Sequence, residues 1–160
     1  MNRVYLLTGS NLGDRVENLN KAAQLITEKA GLLITRSKFY QTSPWGPLDQ
    51  PDYLNQALAV DTSLQAAALM EQLLEIEEKM GRIRSIKYGP RVIDIDILFF
   101  GDQLIQNPMV QVPHPEVHNR RFALTPLAEI AGTFIDPLTG NTISQLLSDC
   151  KDQGTVLQFN

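Results

Sequence analysis

Apolar and polar positions recur with two different periods along this chain. Residues 4–8 form a short apolar run that ends in Gly9-Ser10-Asn11, which predicts a strand and a turn. Over residues 16–30, Leu19, Ala22, Ala23 and Ile26 recur at helical spacing, and Gly31 stands where a C-terminal cap is expected. Residues 32–42 and 53–62 read as the second and third strands. Between them, residues 43–52 hold three prolines and a glycine, a loop of about ten residues, and loops that long in compact domains are often functional. Residues 64–80 carry the strongest helical pattern: Leu69, Leu73, Ile76 and Met80 make the stripe, Ser63 or Thr62 can cap it, and Gly81 ends it. A basic segment, 82–91, leads into a strand over 92–100 and a turn at Gly101-Asp102. Thr125-Pro126 predicts the start of a short helix ending near Gly132, and residues 142–150 predict another.

The element order β-α-β-β-α-β is the ferredoxin-like α+β arrangement, a sheet with two helices on one face, here with extra C-terminal pieces. The 160 residues fit a single domain, 1–160. Fold alone assigns no function, and RNA-recognition modules share this topology. Charge argues against them. The net charge is −4, so nucleic acid would be repelled unless one face gathered the Lys and Arg. No apolar run approaches a membrane span, and the N-terminus lacks the features of a secretory signal, so no membrane partner is expected. The single Cys150 cannot form an intrachain disulfide, which fits a reducing cytoplasm. His114 and His118 have an H-x₃-H spacing, but Pro115 interrupts any helix that would align them and no Cys pair accompanies them, so zinc is not expected.

Against this acidic background the segment 81–100, GRIRSIKYGPRVIDIDILFF, is unusual. Arg82, Arg84, Arg91 and Lys87 precede two aspartates two residues apart. Guanidinium groups match phosphate oxygens in fork geometry. In a strand, positions i and i+2 share a face, so Asp94 and Asp96 project from one side, roughly 6–7 Å apart at the backbone. Ile93, Ile95, Ile97 and Phe99 are expected on the other side. Asp is disfavoured in strands, and a carboxylate near a core is costly without a partner. A divalent cation between the pair and a polyphosphate would supply one. No Walker A motif occurs, so side chains and metal would have to hold the phosphates. Tyr40, Trp45, Tyr53 and Phe122 can pack into the core or stack on a flat heterocycle whose edge Asn55 could read. A metal-dependent nucleotidyl or glycosyl transferase using D-x-D is a weaker alternative, because it leaves that aromatic set unused.

These residues resemble the 6-hydroxymethyl-7,8-dihydropterin pyrophosphokinases of folate biosynthesis. The matching segments are GSNLGDR (9–15), FYQTSPWGPLDQPDYLN (39–55), GRIR (81–84), YGPRVIDIDILFFGD (88–102) and VPHPEVHNRRFALTPLAEIA (112–131), in the family's order. The resemblance implies transfer of an intact pyrophosphoryl group from ATP to the pterin hydroxymethyl oxygen, with release of AMP. It places two Mg²⁺ ions on Asp94 and Asp96, and catalytic roles on Arg82 and Arg91. Glu77, Arg84, Tyr88, Arg91, Ile97, His114 and Arg120 fall on the ATP site. Thr42, Ser43, Pro44, Trp45, Tyr53, Asn55 and Phe122 fall on the pterin pocket and its covering loop. A monomer acting on small molecules is expected, with residues 43–52 and 82–91 closing over them. Tyr88 stands where Trp is common, Leu74 where a polar residue is frequent and Trp45 where Leu is, and the basic loop is one residue shorter.

Overall fold

A computed structural model of the chain describes residues 1–44, 46–47, 49–82 and 89–160. The expectations for Trp45, Arg84 and Tyr88 lie outside the described residues. The chain runs through β1 (Asn2–Ser10), α1 (Arg15–Lys29), β2 (Leu32–Arg36), β3 (Phe39–Thr42), β4 (Tyr53–Thr62), α2 (Ala66–Lys79) and β5 (Asp94–Phe100). A small hairpin, β6 (Ile105–Gln106) and β7 (Gln111–Val112), follows, then α3 (Arg121–Ala131), α4 (Ile143–Asp149) and β8 (Val156–Phe159). The main sheet is antiparallel with the order β5-β1-β4-β3-β8, and β2 also pairs with β4. This is the ferredoxin-like α+β fold, with β8 added as an outer strand.

Strand alternation divides the core into two layers. Val4 and Leu6 of β1, Leu54, Leu58 and Val60 of β4, and Ile95 and Ile97 of β5 pack against Leu19, Ile26, Leu69 and Leu73 of α1 and α2. Tyr5 and Leu7, Ala57 and Ala59, and Leu98 pack on the opposite face under Leu124, Leu127 and Ile143 of α3 and α4. Both faces are therefore covered by helices, one more layer than the six-element pattern implies.

Five details differ from the sequence reading, each for a local reason. The expected strand over 32–42 is two strands, broken where Ser37 turns inward: its amide donates to the Ala57 carbonyl and its hydroxyl accepts from the Ala57 amide. Alternation in β5 fails after Leu98, because a bulge against Tyr5 and Leu6 puts Phe99 with the α3 layer and Phe100 with the α1 layer. Helix α3 begins at Arg121, five residues before Pro126, which sits inside it at the cost of one backbone bond. Neither Thr62 nor Ser63 caps α2; Gln65 holds that position without a side-chain bond, while the Thr62 hydroxyl donates to the Ala30 carbonyl. Gly31 is not a left-handed cap either. A Cβ there would meet the Asp61 carbonyl oxygen of β4 at 2.4 Å, so close packing of the helix end on the strand is what requires glycine.

Candidate active site

The register of three strands assembles the floor of the site. Gly9 lies opposite Asn55 of β4 on one side and Asp94 of β5 on the other, and Leu7 lies opposite Ala57 and Asp96. These positions share the face that carries α3 and α4, so Asn55, Gly9, Asp94 and Asp96 open into one cavity of about 200 Å³. Thr42, Ser43 and Tyr53 line it on one side; Arg91, His114, Arg120 and Phe122 contribute the rest of the wall. The helical cover stops short of this end of the sheet, and the cavity fills the space left.

Asp94 is held by two cations. Arg82 and Arg91 each place Nη1 on its Oδ1, at 3.1 and 3.2 Å. Arg82 is braced in turn by Glu77 of α2, whose Oε1 lies 2.6 Å from the same nitrogen. The second oxygen of Glu77 accepts the Ile95 amide at 2.7 Å across the open edge of β5. Glu77 is buried, and neither it nor Ile97 lines the cavity; both stand behind it. Burial in the cavity wall raises the pKa of Asp96, and the neighbouring Asp94 charge raises it further, against the opposing pull of Arg120. Asp96 accepts no hydrogen bond from the described residues. A hard cation suits such a pair: both groups are carboxylates, and the described residues offer no cluster of three ligating side chains, so phosphate oxygens and water would supply the remaining ligands.

His114 faces the cavity as a neutral imidazole. Burial pushes its pKa down to about 4, with the Arg120 charge acting in the same direction. Its Nδ1 accepts the Glu116 amide at 3.1 Å, which leaves Nε2 as the protonated donor. On the other wall, the Asn55 amide nitrogen donates to Thr42 Oγ1 at 2.7 Å. Its Oδ1 sits over Gly9, where an added Cβ would lie only 2.5 Å from it. The guanidinium of Arg120 stands 5.5 Å over the Phe122 ring. Burial, followed by the Asp94 charge, pushes the Tyr53 phenol up to about 12, so it is a neutral hydroxyl.

A family model described as 7,8-dihydro-6-hydroxymethylpterin-pyrophosphokinase (HPPK) matches residues 5–132. The chain belongs to this family. A Haemophilus influenzae 2-amino-4-hydroxy-6-hydroxymethyldihydropteridine pyrophosphokinase is 39% identical over 149 residues, 92% of this chain and 92% of the relative. A Bacillus subtilis enzyme of the same name is 42% identical over 130 residues, 81% of this chain and 78% of its own. A solved wild-type Plasmodium falciparum HPPK-DHPS structure superposes with a TM-score of 0.74 at 18% identity, covering 92% of this chain and 43% of that one. The chain thus spans less than half of that solved polypeptide, and the likeness speaks for fold alone.

Within this HPPK-family site, Thr42, Ser43, Tyr53, Asn55, Phe122, Arg91, Asp94, Asp96, His114 and Arg120 share one cavity, while Pro44 lines a smaller pocket behind Phe122. Tyr40 points elsewhere: its hydroxyl donates to Glu129 at 2.6 Å. His118 is apart from His114 and pairs with the buried Asp136 at 2.8 Å. The residue that sequence reasoning overlooked is Asn11. Its Oδ1 accepts the Arg91 amide at 2.8 Å, and its amide nitrogen donates to Gln50 Oε1 and the Pro51 carbonyl. One buried side chain thus ties the proline-rich loop to the arginine that reaches Asp94. Its position in the turn after β1, inside the matching GSNLGDR segment, was the available signal.

Proposed function

We propose that the cavity binds ATP and 6-hydroxymethyl-7,8-dihydropterin together, with Asp94 and Asp96 as magnesium ligands and Arg82 and Arg91 as catalytic cations. The chain is a pyrophosphokinase of folate biosynthesis, transferring the β- and γ-phosphates of ATP as one unit to the hydroxymethyl oxygen and releasing AMP. The observation that carries the site assignment is the row Asn55–Gly9–Asp94 across β4, β1 and β5. It sets a group able to read a heterocycle edge and a cation-holding carboxylate on one rigid floor, with only a glycine between them.

Phosphoryl transfer depends on in-line positioning and neutralisation of charge, with little covalent work for the protein. In this reading Asp94 and Asp96 hold two ions, which when bound offset phosphate charge and lower the pKa of the substrate hydroxyl. Arg91 and Arg82 are already gathered at Asp94, so they offset charge on the transferring group without reorganising. Arg120 adds positive charge on the far wall. The His114 Nε2–H donates to a phosphate oxygen and carries no charge at neutral pH. Phe122 and Tyr53 enclose the pterin ring. Asn55 offers Oδ1 to a ring N–H, its orientation fixed by the bond to Thr42.

Glu77 and Ile97 serve the nucleotide side indirectly, Glu77 by fixing Arg82. We propose that the reaction runs in the cytoplasm on a monomer; the buried free thiol of Cys150 fits a reducing compartment. Incubation with ATP, Mg²⁺ and the hydroxymethyl-dihydropterin should yield AMP in step with pterin diphosphate. Formation of ADP instead would mean an ordinary kinase and would overturn the assignment.

A further inference from the structure

The walls of the cavity are fastened from behind by a segment that lies beyond the family match, which ends at residue 132. Helix α3 carries Phe122 and follows directly on Arg120, yet Arg120, as its N-cap, provides no side-chain cap bond. The cap comes from elsewhere: the Asp152 carboxylate accepts the Arg121 amide on Oδ2 at 3.0 Å. The Arg121 side chain closes the joint in the other direction, with Nε donating to the Asp152 carbonyl at 3.0 Å and Nη2 to the Cys150 carbonyl at 2.9 Å. A carboxylate at a helix N-terminus satisfies an orphan amide and complements the helix dipole.

The same segment also grips the end of β3 and the start of the proline-rich loop. The Ser43 amide donates to the Thr155 carbonyl at 3.1 Å, and the Thr155 amide donates to Ser43 Oγ at 3.1 Å. Thr42, one residue earlier, pairs in register with Val156 where β8 lies along β3. Between the two grips, the Gly154 amide donates to Asp152 Oδ1 at 2.9 Å. A Cβ at Gly154 would stand 3.2 Å from both Asp152 Oδ1 and Ser43 Oγ, so the turn packs tightly against both anchors. Phe122 and Ser43 both line the cavity, and a single short stretch, residues 150–156, is bonded to the elements that carry both.

We infer that Asp152 and Thr155 are positioning residues for the pterin half of the site, setting the spacing between the α3 wall and the start of the proline-rich loop. The inference rests on the pterin reading above. Among the described residues, Asp94, Asp96, Arg82 and Arg91 make no bond to this segment, while Arg120 adjoins it as the α3 N-cap, so the ATP constant should move less than the pterin constant. A merely structural cap would lower stability and leave ligand constants alone.

The test measures KM for pterin, KM for ATP, kcat and melting temperature in wild type, Asp152→Ala, Asp152→Asn and Arg121→Ala. Asp152→Ala should raise the pterin KM on the order of fivefold, the scale of a lost helix cap, with the ATP KM and kcat changed less than about twofold. Asp152→Asn keeps a carbonyl oxygen for the Arg121 amide and should recover part of the loss. Arg121→Ala, at a half-exposed side chain, should shift the pterin KM in the same direction by less, and it carries the test if Asp152→Ala does not fold. Folded variants with an unchanged pterin KM, or with pterin and ATP constants moving together, would overturn the inference while leaving the function intact. A wild-type protein that does not bind the pterin would overturn both.

Discussion

The two faces of the central sheet are built from the same strands and do opposite work. On the α1/α2 face, Val4, Leu6, Leu58, Val60, Ile95 and Ile97 meet Leu69, Leu73, Leu19 and Ile26 in a closed apolar layer. On the α3/α4 face, apolar packing runs only as far as Leu7, Ala57 and Leu98, then gives way to Gly9, Asn55, Asp94 and Asp96. One face is filled and supplies stability; the other is left open at one end and holds groups that are costly to bury. Neighbouring residues of β5 serve both purposes by strand alternation, Ile95 and Ile97 turned one way and Asp94 and Asp96 the other.

Substitutions on the two faces should therefore separate stability from activity. Asp96→Ala should lower kcat/KM by about a thousandfold or more, the loss expected when charge stabilisation at a phosphoryl-transfer site is removed, and should hold or raise the melting temperature, because it removes a desolvated carboxyl. Leu69→Ala, in the filled layer, should do the reverse: about 3 kcal/mol lost in denaturant unfolding, with substrate constants unchanged. Steady-state kinetics and urea melts on the two variants check the pair, and an Asp96 variant that unfolds as readily as the Leu69 variant would blur the distinction.

His114 sharpens it through pH. Its folded pKa, about 4, is below the unfolded value of about 6.5, so its neutral form stabilises the fold fully above pH 6.5, and that contribution falls as pH drops toward 4. Between pH 7 and 4.5 the wild type should lose about 2 kcal/mol that His114→Gln does not lose, read from urea midpoints. The smallest effect is at the floor. Gly9→Ala would push a Cβ to within 2.5 Å of Asn55 Oδ1, and relieving that contact should disturb the Asn55–Thr42 bond. The pterin dissociation constant should rise by roughly tenfold, about the worth of one charge-free hydrogen bond, with ATP affinity unchanged.

Much of this was legible in the chain because it follows from period and local chemistry. Strand β4 was recoverable from alternation alone, and α2 from its Leu69–Leu73–Ile76 stripe and the positive-φ Gly81 that ends it. The D-x-D strand and its arginines stood out because aspartate in an apolar strand demands a reason. What was not legible depends on contacts distant in sequence. Thr125-Pro126 suggested a helix start, but the amide of Arg121 finds its cap in Asp152, thirty-one residues later, and the helix begins there instead. The bulge that exchanges Phe99 and Phe100 is set by pairing with β1, which no pattern within β5 reveals. Asn11 looked like an ordinary turn residue until the fold brought Gln50, Pro51 and Arg91 around it.

The central claim is that Asp94 and Asp96 hold divalent cation against the triphosphate on the open face. Calorimetric titration of a non-hydrolysable ATP analogue, with and without Mg²⁺, into wild type and Asp96→Ala tests it most directly. The account predicts that Mg²⁺ tightens binding to the wild type and that the variant loses most of that gain while still binding the metal-free analogue. An Asp96→Ala protein whose nucleotide affinity responds to Mg²⁺ as the wild type does would contradict it.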